Sequence, residues 1–295
     1  MANTFLLKLL WAYCWTIGKL PQFLQFALGD FVFVIIYYLI GYRKKVVREN
    51  LVNSFPQKTA KELRIIEKKF YRQLSDIMIE SLAMVSMSEK QIRKRMVFEN
   101  PELLNSITPN RAVMTAMAHF GTWEYTVSSG LYLDAPVLAV YHPLSNKTVD
   151  EFYKKMRSRF GVQPVSMALT SKEIIRNIRA KTYPAVALIA DQTPPIVLIK
   201  NWIPFLNQPT AFFPGMERLA VSLHTAVVFA HITKPKRGYY RCRFELLYDG
   251  EQKLEEFELT KLYAEKLENM ITENPHLWLW SHRRWKLKPG DKIPR

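Results

Sequence analysis

The sequence predicts an α/β protein, a central, mostly parallel or mixed sheet flanked by helices and preceded by an apolar helical segment. Three observations lead there. Short apolar runs of strand length recur along the chain, AVMTAM at 112–117, VLAVY at 137–141 and AVALIAD at 185–191. Stretches with helical character lie between them, so strands and helices alternate. The 295 residues are 48% hydrophobic, enough to bury a sizeable core in one large domain or two small ones.

Residues 1–42 differ from the rest, being crowded with Leu, Phe, Trp, Tyr and Ile and carrying few charges. The run FVFVIIYYLIGY from Phe31 to Tyr42 is uncharged but only twelve residues long. That is short of the roughly 20 residues needed to span a bilayer. Extending it backwards meets Asp30 and Pro21. The segment therefore reads as a membrane anchor, either a single span or a tilted or re-entrant one, with a buried soluble helix as the bland alternative. The start lacks a basic cluster and no small-x-small site follows the apolar run, so a cleaved signal peptide is not expected. Arg43, Lys44 and Lys45 come next and, by the positive-inside rule, place residues 43–295, the second unit, in the cytoplasm.

Thr59 and Glu62 have the spacing of a capping box, and Leu63, Ile66, Phe70, Ile77 and Leu82 trace the apolar stripe of the long helix it opens. After the 137–141 strand come a helix through 148–160 and a Lys-rich segment at 171–181. Later strands run through TAVVFAHIT (225–233) and YYRCRFELL (239–247), followed by a helix over 260–273.

A net charge of +16 implies an acidic partner, whether nucleic acid, anionic lipid or an acidic carrier protein. Six of the basic residues, 283, 284, 286, 288, 292 and 295, crowd the tail HRRWKLKPGDKIPR against one acid, Asp291. Trp278, Trp280 and Trp285 beside them fit a bilayer interface, a packed core or base stacking. With no nucleic-acid-binding module recognised and a lipid-like N-terminus, nucleic acid is not the expected partner. Cys14 and Cys242 sit in apolar contexts without metal-ligand spacing, which fits a reducing compartment. The six histidines form neither an HExxH motif nor a Cys/His cluster, so no metal is expected, and His224, His231 and His276 read as structural.

Polar chemistry begins abruptly after the 112–117 strand, at AHFGTWEY (118–125). Glu124 stands five positions after His119, an offset that a continuous helix would turn to a different face. Gly121 can supply a bend that leaves His119 at the strand end and Glu124 in the first turn of the next helix, reaching back as base and orienter. Two further polar groups follow strands, Tyr141-His142-Pro143 and Asp191-Gln192, and sites in such sheets gather beyond the carboxyl ends of the strands. Taken singly, His142 is also a turn residue and Asp191 a helix cap.

His119-x-x-x-x-Glu124 resembles the HX4(D/E) signature of glycerolipid acyltransferases, and HFGTWE is similar to that of the bacterial lipid A late acyltransferases, a lysophospholipid acyltransferase-like group. The likeness covers nearly the whole chain. RENLVNSFP (48–56), YHPLSN (141–146), RFG (159–161), ALIADQ (187–192), IPF (203–205), AFFPGMERLA (211–220) and WLWSHRRWK (278–286) stand in the family's order. One departure is His142, where family members often carry arginine.

The resemblance implies a glycerolipid-acyltransferase-like fold at the cytoplasmic side of the cell inner membrane. It implies an O-acyltransferase that moves an acyl chain from an acyl carrier protein, or less often coenzyme A, to a hydroxyl of a lipid A precursor. A lysophospholipid or aminolipid is the alternative acceptor, and a non-catalytic lipid- or nucleic-acid-binding protein the rival of another class. No cofactor is implied, the acyl thioester being a co-substrate. His119 would be the general base and Glu124 its partner, without an acylated residue, in keeping with the absence of a G-x-S-x-G elbow. Arg159 is the candidate for a substrate phosphate. Asp191 and Gln192 belong to the acceptor side, Asp191 on sugar hydroxyls or on Arg159, and His142 faces the acceptor headgroup.

Overall fold

The computed structural model describes residues 3–291, so Lys292 and Arg295 of the basic tail lie outside the described residues. The N-terminal segment folds as α1 (Thr4–Lys19) and α2 (Gln22–Phe33), the latter running on through a π-helical turn, Val34–Leu39. Next come α3 (Lys44–Ser54), α4 (Ala60–Ala83), α5 (Glu89–Arg95), β1 (Met96–Phe98), α6 (Glu102–Ile107) and β2 (Val113–Met117). The middle of the chain supplies β3 (Val137–Tyr141), α7 (Lys147–Arg157), β4 (Val162–Ser166), α8 (Thr170–Arg179) and β5 (Ala185–Ile189). The remainder is a hairpin of β6 (Trp202–Phe205) and β7 (Gln208–Ala211), then α9 (Gly215–Leu223), β8 (Ala226–Lys236), β9 (Tyr239–Tyr248) and α10 (Glu258–Glu273).

Seven strands form one sheet in the order β1-β9-β8-β2-β5-β3-β4. The β8–β9 pair is antiparallel and the other pairings are parallel, so the sheet is mixed. All five residues of β2 are buried, as expected of a central strand covered on both faces, and this is why its sequence is continuously apolar rather than alternating. The capping box at Thr59 and Glu62 forms in full and opens α4. β4 contains a proline and β1 is three residues long, so neither stands out as an apolar run.

The segment before residue 43 does not hang free. Cys14, Phe33 and Tyr37 belong to the same buried cluster as the residues around the sheet. Gly18 permits the close approach of α1, since a Cβ there would fall 2.4 Å from the Ala83 carbonyl. Asp30, whose place in an apolar run is unusual, is paired at 3.0 Å with Arg237, which also grips Asp76 of α4 at 2.7 Å. The stretch Gln22–Leu39 is long and apolar enough to cross a membrane, with mean hydropathy 1.6, yet only 22% of it is buried. Phe5, Leu9, Phe23, Phe31 and Leu39 leave an apolar face exposed.

Candidate active site

Strand register builds the site. Met117 of β2 and Ile189 of β5 are paired neighbours, and two residues beyond each stand His119 and Asp191. The two side chains therefore leave the same edge of the sheet side by side. Asp191 Oδ1 lies 2.7 Å from His119 Nδ1, and Oδ2 accepts the His119 backbone N–H at 3.1 Å and the Trp278 indole N–H at 2.8 Å. A carboxylate only accepts, so Nδ1 carries the proton and the Nε2 lone pair is left for chemistry.

Burial pushes the His119 imidazole down, but the charge and hydrogen bond of Asp191, helped by Glu124, outweigh it and the group titrates above its ordinary value. Burial works against the Asp191 carboxylate too, and His119 and Trp278 hold it below the usual carboxylate value. The Gln192 amide nitrogen lies 3.4 Å from Nε2, and the Trp123 ring meets the imidazole edge-on at 5.0 Å.

The closing motif fixes the loop. Trp278 bridges Phe120, the Leu279 N–H donates to the His119 carbonyl at 3.1 Å, and the Gly121 N–H donates to the Leu277 carbonyl at 2.9 Å. The bend foreseen at Gly121 is present, with φ +57°, and a Cβ there would press on the Tyr240 ring at 3.2 Å. Below the bend, the Thr122 hydroxyl donates to the buried Glu80 carboxylate, as does Tyr240 at 3.0 Å.

Glu124 departs from expectation. The residues after the bend form a 3₁₀ helix, Trp123–Leu131, rather than an α-helix. Its tighter winding turns the carboxylate to α7, where Arg157 donates from Nε at 2.9 Å and Nη2 at 2.5 Å. Asp191, not Glu124, is thus the hydrogen-bond partner of His119. Glu124 acts on the imidazole through its charge alone. Arg157, which sequence reading overlooked, sits in a helix whose last turn is basic at Lys154, Lys155 and Arg157, with no local feature to single out the inward one.

Arg159 is turned toward the chain's own backbone. Its guanidinium donates to the Met84 and Met87 carbonyls, capping the turn after α4, and Asp191 does not contact it. His142 is exposed in the irregular chain after β3, its Nδ1 3.0 Å from the Pro143 carbonyl. The basic tail also divides. Arg283, Lys286 and Lys288 are exposed, whereas Arg284 is buried, donating to the Ala211 carbonyl at 2.7 Å over the Phe212 ring. Burial pulls the Arg284 pKa down to about 10 and that of His282 to about 4, which leaves His282 neutral at physiological pH. Trp278 and Trp280 are buried, which settles their reading as core. Among the described residues, no three His, Cys, Asp or Glu side chains gather to hold a metal.

The family model for bacterial lipid A biosynthesis acyltransferases matches residues 1–287. No curated protein matches the chain. Among solved structures, the crystal structure of the 1-acyl-sn-glycerophosphate acyltransferase PlsC from Thermotoga maritima is similar with TM-score 0.38 and 12% identity, covering 89% of this chain and 99% of that one.

Proposed function

Because the chain belongs to the bacterial lipid A biosynthesis acyltransferase family, we propose that it moves a fatty acyl chain from an acyl thioester to a hydroxyl of a lipid A precursor, with His119 as general base. The observation that carries this reading is the Asp191–His119 bond at the strand ends. An acceptor hydroxyl donates its proton to Nε2 as its oxygen attacks the thioester carbonyl. Collapse of the tetrahedral intermediate forms the ester, breaks the C–S bond and expels the thiolate, which takes the proton back from the imidazolium. Asp191 holds the tautomer and stabilises the imidazolium, as the carboxylate of a hydrolase triad does. Glu124, tied to Arg157, adds a fixed negative charge beside it.

The acyl donor in this reading is an acyl carrier protein, because such carriers are acidic and the chain carries +16. The exposed apolar face of α1 and α2 rests in the inner membrane on the cytoplasmic side, beside Arg43, Lys44 and Lys45.

Purified protein in neutral detergent micelles, given a lipid A precursor and either acyl carrier protein or coenzyme A thioester, tests both parts. The expected product gains one acyl mass, and kcat/KM for the carrier donor falls with salt, since exposed charges are screened beyond about 8 Å at physiological ionic strength. Equal, salt-insensitive use of both donors would reject the carrier. Acylation of a lysophospholipid but not of the precursor would reject the acceptor.

A further inference from the structure

The corner between α1 and α2 forms an open cavity of about 340 Å³ that shares no residue with the acyl-transfer site. Lys19, Lys94 and Arg95 line it together with Gln22, Gln25 and Tyr239, and no carboxylate does. Arg95 is only 9% exposed. Its one hydrogen bond among the described residues is a long one, 3.5 Å, to the Gly238 carbonyl, and its guanidinium stands over the Tyr239 ring at 5.6 Å. No acidic side chain of the described residues pairs with it. The mostly buried guanidinium thus faces the cavity with no anion beside it, and an anion entering there can accept charge-assisted hydrogen bonds from it.

A second feature of the same cavity favours an anion. Pro21 and Gln22 bring the N-terminus of α2 to its wall, and no side chain caps that helix. The first N–H groups of a helix lack intrahelical partners and carry its positive end. On the opposing side, the carbonyls of Ile17 and Gly18 at the end of α1 and of Leu20 after it accept from the Gln25 side-chain amide at 3.4, 3.3 and 2.9 Å. Trp15, Phe23 and Leu24, exposed at the same corner, supply apolar surface beside the charged cavity.

We propose that this corner binds a phosphate group, that of an anionic lipid whose chains lie along the exposed face of α1 and α2. The site and the reaction centre share one edge of the sheet. Arg95 immediately precedes Met96, the register partner of Tyr240, and the Tyr240 ring lies under Gly121. A lipid phosphate held here seats that edge at the bilayer surface. The proposal concerns binding alone and stands whether or not the acyl-transfer reading holds.

Dihexanoyl phosphatidic acid and, separately, inorganic phosphate are titrated calorimetrically into the full chain in neutral detergent micelles. Saturable one-site binding of phosphatidic acid by the wild type is expected. It weakens at least about tenfold in Arg95→Gln and in Lys19→Ala/Lys94→Ala, the loss anticipated for charge-assisted hydrogen bonds to phosphate. Lys19 and Lys94 are exposed, so the double variant reports on the site even where Arg95→Gln does not fold. Phosphatidic acid bound without inorganic phosphate assigns the site to a lipid headgroup, and both bound and lost together assign it to phosphate from either source. No saturable binding of either probe by the wild type, or an unchanged Kd in the double variant, overturns the proposal.

Discussion

Asp191 holds His119 twice, Oδ1 on the ring at 2.7 Å and Oδ2 on the backbone N–H of the same residue at 3.1 Å. Ring tautomer and loop position are therefore set by one carboxylate, itself anchored by Trp278.

Asp191→Asn keeps the volume but turns an amide N–H toward Nδ1 whenever its oxygen serves the backbone and Trp278, which favours the wrong tautomer. A fall in kcat of about 10²–10⁴-fold is expected, with acceptor KM changed little. The pH profile gives the sign. Asp191 raises the His119 pKa, and the base works when neutral, so removing the carboxylate moves the acidic limb of kcat/KM to lower pH. An acidic limb that stays in place would separate Asp191 from the titrating group.

Glu124 and Arg157 form a mostly buried pair, their side chains 8% and 21% exposed. Losing one partner strands the other, so Glu124→Gln and Arg157→Met each lower Tm as well as turnover. The double variant should lose less stability than the sum, leaving a coupling energy of about 1–3 kcal/mol. Additive losses in a thermal double-mutant cycle would dissolve the pair.

The N-terminal face separates membrane seating from folding. Serine at Phe5, Leu9, Phe23, Phe31 and Leu39 together should reduce co-flotation with vesicles and leave Tm within a few degrees, because these side chains are exposed. Deleting residues 1–42 should instead unfold the chain. It removes Cys14, Phe33 and Tyr37 from the core and the Tyr42 carbonyl that accepts from Tyr71. Undiminished flotation of the quintuple variant would move the membrane contact elsewhere.

The apolar strands β2, β3, β5, β8 and β9, the long capped helix and the bend at Gly121 were legible because each rests on local pattern, whereas β1, β4, β6 and β7 are too short or too polar to show one. So was the gathering of His119, Asp191 and Gln192 at strand ends, since parallel strands of matched length end together. The partner of His119 was not. Spacing in the sequence put Glu124 near, but a 3₁₀ helix and an arginine 33 residues away turned its carboxylate aside. The surroundings of Arg159 were hidden for a similar reason, its guanidinium donating to carbonyls about 70 residues earlier, at Met84 and Met87. Arg284 reads as part of a basic tail, although the chain folds it inward against Phe212. Which charge faces inward is a tertiary fact that composition does not carry.

Single-turnover acyl transfer by His119→Ala, with donor and lipid A precursor saturating, tests the central claim most directly. General-base catalysis by this imidazole predicts a rate about 10²–10⁴-fold below wild type with acceptor binding unchanged, while the loss of the ring partner of buried Asp191 lowers Tm without unfolding the chain. A rate within a few-fold of wild type would contradict it.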